Sequence, residues 1–177
     1  PGVRVREDPV RILRAINFAS RLGFEIEPGS MRAMVRYRQH ILKSAHPRIL
    51  EEIHKILRSG AARASFRLMW EMGVLELILP ELATYLSRSP ERGEEREPGS
   101  GLWAYLAAVD AADRELLNNA VLLATVMLHP IGDAACHGAK QYGLEPESSS
   151  PGEVARHMLR NMISRLSLPK WQAERIQ

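Results

Sequence analysis

Residues 7–24 read EDPVRILRAINFASRLGF, and this stretch decides the fold class. Asp8 and Pro9 predict the start of a helix, because aspartate is a favoured N-cap and a proline at the first helical position has no N–H to leave unpaired. Apolar residues then recur at intervals of three and four, which is the spacing of a helix and not of a strand. Gly23 predicts that the helix ends after Leu22.

The predicted helix has one apolar side and one charged side when successive residues are placed 100° apart. The apolar side carries Ile12, Leu13, Ile16 and Ala19. The charged side carries Glu7, Arg11, Arg14 and Arg21. The arginines are therefore predicted to face away from the core.

The rest of the chain repeats the helical spacing, and no segment predicts a convincing strand. Further helices are predicted at about residues 31–40, 47–60, 66–73, 75–79, 102–117, 119–128, 131–142 and 152–166, with a last one from Pro169. The predicted fold class is all-α, an irregular multi-helix array with no sheet.

A stretch without any apolar side chain, residues 87–101, predicts a flexible linker. It divides the chain into a helical region at 1–86 and a second helical region at 102–177. Because the chain begins just before a predicted helix and ends inside another, we expect it to be part of a longer protein that is cut at both ends, with the second helical region truncated at its carboxyl end.

Charge is distributed unevenly along the 177 residues. Of 24 basic residues 20 are arginine, and residues 1–67 carry a net charge of +8 while the whole chain carries +3. Such an asymmetry is typical of proteins that bind nucleic acid or nucleotide phosphates, although charged helix faces in solvent give the same pattern. The apolar stretch at 121–128 is too short to cross a bilayer, and no signal region precedes it, so we expect a cytoplasmic protein without a membrane.

Asp8 and Arg11 stand three residues apart, close enough for a carboxylate and a guanidinium to act side by side. A carboxylate only accepts hydrogen bonds and a guanidinium only donates them, so the pair matches the donor and acceptor on the pairing edge of adenine or cytosine. Guanine and uracil present the reverse order. The alternative interpretation is an ordinary surface ion pair worth about 0.5 kcal/mol.

The stretch at 7–24 closely resembles the neck region of the tRNA nucleotidyltransferase/poly(A) polymerase family, the class II nucleotidyltransferases. The resemblance continues through RSGAAR at 58–63, LMWEMG at 68–73 and LPEL at 79–82, and so covers roughly residues 1–85. The segments LLATVMLHP at 122–130 and LSLPK at 166–170 favour the bacterial poly(A) polymerase branch over the branch that adds CCA.

The resemblance implies roles for individual residues. Glu7, Asp8, Arg11 and Arg14 are expected to bind the incoming nucleotide, with Glu7 orienting the arginine. Arg4, Arg6, Arg21 and Arg63 are expected to bind RNA. The family usually has an arginine where this chain has Asn17, so the phosphate or ribose contact from that position is in doubt.

The resemblance also implies which parts are supplied by the rest of a longer enzyme. Catalysis in the family belongs to an amino-terminal head domain that holds two Mg²⁺ ions, and this chain contains no Asp-x-Asp motif. We therefore expect no catalytic residue and no bound cofactor in this chain, with ATP and Mg²⁺ used by the full-length enzyme. The expected partners are the RNA 3′ end, ATP and the head domain.

The predicted function is the RNA-binding and nucleotide-selecting part of a template-independent RNA nucleotidyltransferase, and a bacterial poly(A) polymerase is favoured. A CCA-adding tRNA nucleotidyltransferase and a stand-alone helical RNA-binding module stay open as alternatives. The six histidines and Cys136 lack the spacing of metal ligands, so no metal site is predicted.

Overall fold

The structure is a computed structural model that describes residues 2–88, 99–113, 118–137, 139–142 and 150–168. Within those ranges the chain forms ten α-helices and two short 3-10 helices and contains no strand. The α-helices are α1 (Gly2–Glu7), α2 (Arg11–Leu22), α3 (Pro28–Tyr37), α4 (His46–Leu57), α5 (Ala62–Glu71), α6 (Leu75–Ile78), α7 (Pro80–Ser87), α8 (Ser100–Ala111), α9 (Asn119–His137) and α10 (Pro151–Leu166). The 3-10 helices are Arg38–Lys43 and Ala139–Tyr142. The all-α prediction is confirmed.

The α2 helix packs its apolar side against α4 and α5. Ile12, Leu13 and Ile16 are completely buried in that contact, while Arg11 and Arg14 stay exposed. The two sides predicted from the 3.6-residue period are therefore the two sides that the structure shows.

The start of α2 differs from the prediction. The helix begins at Arg11 with Val10 in the cap position, and no side chain caps it. Asp8 follows the short helix α1, which the sequence did not predict, and its carbonyl accepts the N–H of Arg11 in a turn. The prediction of Asp8 as the N-cap is wrong because its carboxylate accepts hydrogen bonds from Arg48 of α4 instead.

The end of α2 follows the prediction. Gly23 has a φ of 67°, in the left-handed region that glycine adopts without steric cost. The N–H of Phe24 donates to the carbonyl of Ala19 at 3.0 Å, which satisfies one of the last carbonyls of the helix.

Two predicted boundaries in the second half of the chain are also wrong. The segments predicted at 119–128 and 131–142 are largely one helix, α9, which runs through Pro130. Proline removes one helical hydrogen bond, but Val126, Met127 and Ala134 on either side of it are buried in the core, and packing against α7 and α10 outweighs the loss. The sequence also missed α7, whose first residue is Pro80.

Other predictions fall partly or wholly outside the described residues. The helix predicted at 102–117 spans Ser100–Ala111, and residues 114–117 lie outside the description. Of the predicted linker at 87–101, the stretch 89–98 lies outside it, as does the helix predicted from Pro169. Ser87 is the last residue of α7, Gly99 directly precedes α8, and residues 100–101 belong to α8, so both ends of the predicted linker are helical.

By length and composition alone, α9 could cross a membrane. Its window Asn119–Cys136 has a mean hydropathy of 1.3, and 44% of that window is buried inside the structure. The core helices of soluble proteins have the same properties, and α9 packs on both α7 and α10. This feature is therefore weak support for a membrane span.

A continuous hydrophobic core joins residues from both halves of the chain, from Val5 to Leu168. Polar contacts reinforce it across long sequence separations. The carboxylate of Asp110 in α8 accepts the N–H groups of Ala62 and Arg63 at the start of α5, and Arg165 of α10 forms a bidentate pair with Glu81 of α7. The division into regions 1–86 and 102–177 stays a prediction about domains.

Replacing Gly99 by alanine is expected to destabilise the protein by about 1–2 kcal/mol or more, because its φ of 76° is unfavourable for an L side chain. The added Cβ would also collide with the buried side chain of Leu86. Gly132→Ala is the matched control: its Cβ would meet nothing within 4 Å, and alanine in a helix gains about 0.5–1 kcal/mol. Urea unfolding measures both, and equal stability of the two variants would contradict the explanation.

Candidate nucleotide- and RNA-binding site

Asp8 lies between two arginines at the junction of α1, α2 and α4. Its two carboxylate oxygens each accept a hydrogen bond from Nη2 of Arg48 at 3.0 Å. Arg11 Nε lies 3.7 Å from Oδ2 of Asp8, which is an ion pair without a hydrogen bond. The predicted pair of acceptor and donor is therefore present, and Arg48 fixes the position of the acceptor.

One turn further along α2, Arg14 is bound to a buried carboxylate. Its Nε donates to Oε1 of Glu52 at 3.1 Å, and Nζ of Lys55 donates to the same oxygen at 3.1 Å. Glu52 is only 3% exposed, and a buried carboxylate needs such partners because it has lost its water. Glu52 thus fixes the direction of Arg14, a predicted nucleotide-binding residue.

Lys55 also connects this network to the surface. Its ammonium lies 2.7 Å from Oε1 of Glu51 and 3.1 Å from Oε1 of Glu52. The hydrogen bond to Glu51, followed by the one to Glu52, raises the pKa of Lys55, and the bond to Lys55 lowers the pKa of Glu51. Both pKa shifts favour the ionised forms of Lys55 and Glu51 at neutral pH.

A groove of about 530 Å³ extends along α2 and α4 from Arg14 towards the start of α9. It is lined by four basic residues, Arg14, Arg21, Lys55 and Arg58, and by two acidic ones, Glu51 and Glu52. Asn17, Phe18, His54, Ser59 and Asn119 complete the lining. The groove is open to solvent, large enough for a nucleotide, and positively charged on balance.

His54 lies in the wall of this groove. Burial, followed by the nearby positive charge of Arg58, lowers its pKa to about 4. The imidazole is therefore neutral in the folded protein at physiological pH, and the positive charge of the groove comes from its arginines and Lys55.

The structure brings only some of the predicted residues to the groove. Arg14 and Arg21 line it, Arg11 is the first residue of the same helix, and Asp8 lies in the turn that precedes this helix. Glu7 is exposed at the end of α1 and makes no ion pair with Arg11 within the part of the chain that the structure describes.

The remaining predicted RNA-binding residues lie elsewhere. Arg4 is exposed on α1, and the guanidinium of Arg6 lies 5.3 Å from the ring centre of Tyr37 in α3. Arg63 is exposed at the start of α5, next to Asp110 of α8. These three arginines are therefore not part of the groove.

Sequence reasoning missed the contribution of α4. Arg48, Glu52 and Lys55 are spaced by four and three residues, which places them on one side of a helix beside the buried Ile49, Ile53 and Ile56. That spacing could have predicted a charged stripe on α4. It could not have predicted that the stripe faces the arginines of α2, because the crossing of the two helices depends on the whole core.

The described residues do not form a site for Mg²⁺. No group of three or more His, Cys, Asp or Glu side chains within the described ranges is placed to hold a metal ion. The carboxylates of the groove are bonded to Arg14 and Lys55 and are not available as a pair of metal ligands.

A basic groove beside a carboxylate–guanidinium pair offers positive charge for phosphates and hydrogen-bonding groups for a base. Comparison with known families agrees: residues 23–86 match the family described as a probable RNA- and SrmB-binding site of polymerase A. Over these residues the chain is thus similar to the helical part of a polymerase that is described as a probable RNA-binding site.

The relatives come from two kinds of enzyme. The chain is 28% identical to poly(A) polymerase I of Escherichia coli, in an alignment that covers 81% of this chain and 30% of the relative. It is 31% identical to poly(A) polymerase I of Haemophilus influenzae, in an alignment that covers 74% of this chain and 28% of the relative. It is 34% identical to the multifunctional CCA protein of Neisseria gonorrhoeae over 79% of its length and 36% of the relative. The chain belongs to the tRNA nucleotidyltransferase/poly(A) polymerase family, and it spans about a third of the length of these relatives.

The stability of the fold is expected to fall as the pH is lowered from 6.5 towards 4. The unfolded chain binds a proton at His54 below about pH 6.5, whereas the folded chain resists protonation until about pH 4, so acid favours unfolding across this window. His54→Gln should remove that part of the pH dependence. Urea unfolding at a series of pH values measures it, and an unchanged slope in the variant would show that another group is responsible.

Proposed function

We propose that this chain is the part of a template-independent RNA nucleotidyltransferase that binds RNA and selects the incoming nucleotide, and that the enzyme is a bacterial poly(A) polymerase adding AMP from ATP to RNA 3′ ends. The observation that carries the proposal is the Asp8–Arg11 pair beside a basic groove. The parts of the mechanism that concern ATP, Mg²⁺ and the head domain belong to the whole enzyme and are proposed with it, as is a cytoplasmic location.

Base selection follows from the chemistry of the pair. Asp8 presents acceptors and Arg11 presents donors, so adenine can donate its amino group to the carboxylate and accept from the guanidinium at a ring nitrogen. Guanine in the same place would set donor against donor and acceptor against acceptor, and each polar group that the base then covers without pairing costs about 1–3 kcal/mol. Arg48 contributes by preventing rotation of the carboxylate.

Arg14 is proposed to contact the sugar or phosphates of the same nucleotide. It lies one helical turn after Arg11, and its Nε is occupied by Glu52. A guanidinium carries five N–H donors, so its terminal groups stay able to donate. Glu52 therefore positions the arginine without neutralising its capacity to bind.

A CCA-adding enzyme is the second candidate function. The Asp8–Arg11 pair suits cytosine as well as adenine, and the multifunctional CCA protein of Neisseria gonorrhoeae has a higher identity to this chain than the poly(A) polymerases described above. Incorporation of CTP as well as ATP would identify that function.

Base selection can be tested in the complete polypeptide that joins this chain to a nucleotidyltransferase head. Arg11→Ala is expected to lower the preference for ATP over GTP at least tenfold, since the donor that matches adenine is lost. Arg32→Ala, an exposed arginine of α3, is the matched control and should keep the wild-type preference. Single-nucleotide incorporation with each triphosphate gives the ratio, and an unchanged ratio in Arg11→Ala would refute the assignment.

A further inference from the structure

Phe18 is a large apolar residue of α2 that faces solvent, as Leu22 at the end of the helix also does. Phe18 is 52% exposed, whereas Ile12, Leu13 and Ile16 on the same helix are completely buried. It lies in the wall of the groove between α2 and α4, and the guanidinium of Arg21 lies 5.3 Å from its ring centre. The groove therefore contains an accessible aromatic ring next to a cation.

From this arrangement we infer that the groove binds one unpaired nucleotide of the RNA strand, with its base stacked on Phe18 and its phosphate bound by Arg21. The inference rests on the proposed function and adds to it a subsite, which lies further along α2 than the nucleotide-selecting pair. An aromatic ring with an adjacent arginine is the arrangement by which proteins hold single-stranded nucleic acid regardless of sequence.

The charges of the groove favour a strand of RNA over free ATP. Glu51 and Glu52 line the groove together with its four basic residues, so the positive excess is small. A nucleotide within a strand carries one negative charge and suits that balance, whereas a triphosphate would bring several charges close to two carboxylates. The distance supports the same choice, because Phe18 lies seven residues beyond Arg11, about 10 Å along the helix axis.

The test measures binding of a short, labelled oligoadenylate to the 177-residue chain by fluorescence anisotropy at several salt concentrations. Phe18→Leu is expected to weaken binding roughly 5- to 150-fold, since stacking of one base contributes about 1–3 kcal/mol. Its slope of log affinity against log salt should equal that of the wild type, because no phosphate contact is lost. Phe18→Trp should retain the wild-type affinity.

Two variants serve as controls. Phe24→Leu removes a phenylalanine that is 67% exposed but does not line the groove, and it should bind like the wild type. Arg21→Gln should weaken binding and also reduce the salt slope by about 0.7, the contribution of one phosphate contact in a single strand. The two groove variants thus differ in their salt dependence if one acts by stacking and the other by charge.

The outcomes separate this inference from the proposed function. A wild-type chain that does not bind RNA would contradict the proposed function itself. A wild-type chain that binds RNA, together with a Phe18→Leu variant that binds as tightly as Phe24→Leu, would overturn only the stacking subsite. Displacement of the oligoadenylate by ATP from the wild type, with weaker ATP binding in Phe18→Leu, would overturn it in favour of the free nucleotide.

Discussion

The burial of the apolar side of α2 against α4 and α5 is the constraint on which the rest of the site depends. Ile12, Leu13 and Ile16 have no exposed surface, and each fully buried side chain of this size contributes about 1.5–3 kcal/mol. Rotating α2 about its axis would expose these residues, so the direction of the opposite side is fixed as well. Arg11, Arg14 and Arg21 face solvent because the core holds the other side of their helix.

The second requirement is a partner that holds the arginines in place, and α4 supplies it. Glu52 is buried on the side of α4 that faces α2, and it is tolerated there because Arg14 and Lys55 both donate to it. Arg48 of α4 likewise holds Asp8 in place by donating to its carboxylate, so in this pair α4 supplies the cation and not the anion. Without α4, Asp8 and Arg14 would be flexible surface side chains whose pairing has little value. Ordered by α4, they keep the fixed geometry that the proposed selection of a nucleotide requires.

Much of the fold could be predicted because helical periodicity, proline and glycine act locally. The apolar face of α2, its end at Gly23 and the helix at Pro151–Leu166 all follow from short-range rules. The errors occur where tertiary contacts outweigh those rules. Asp8 has the side chain of an N-cap but is bound to Arg48, which is 40 residues away in sequence. Pro130 predicts a break, but burial on both sides of it keeps α9 continuous.

The candidate site was predictable only in its α2 half. Asp8, Arg11 and Arg14 could be named from their spacing and from the resemblance, whereas the groove requires knowing that α2 and α4 lie side by side. Phe18 illustrates the difference: at 100° per residue it falls on the arginine side of α2, but only the packing of α4 beside α2 shows that this side lines a groove.

The central claim is that RNA binds to the facing charged sides of α2 and α4. NMR mapping of the 177-residue chain with a single-stranded oligoadenylate tests it most directly, because the backbone amide shifts report each helix separately. The account predicts that the largest shift changes lie on α2 between Arg14 and Arg21 and on α4 between Arg48 and Lys55, and that α7 and α10 change little. Saturable shifts confined to α3, α7 or α10, with α2 and α4 unchanged, would contradict it.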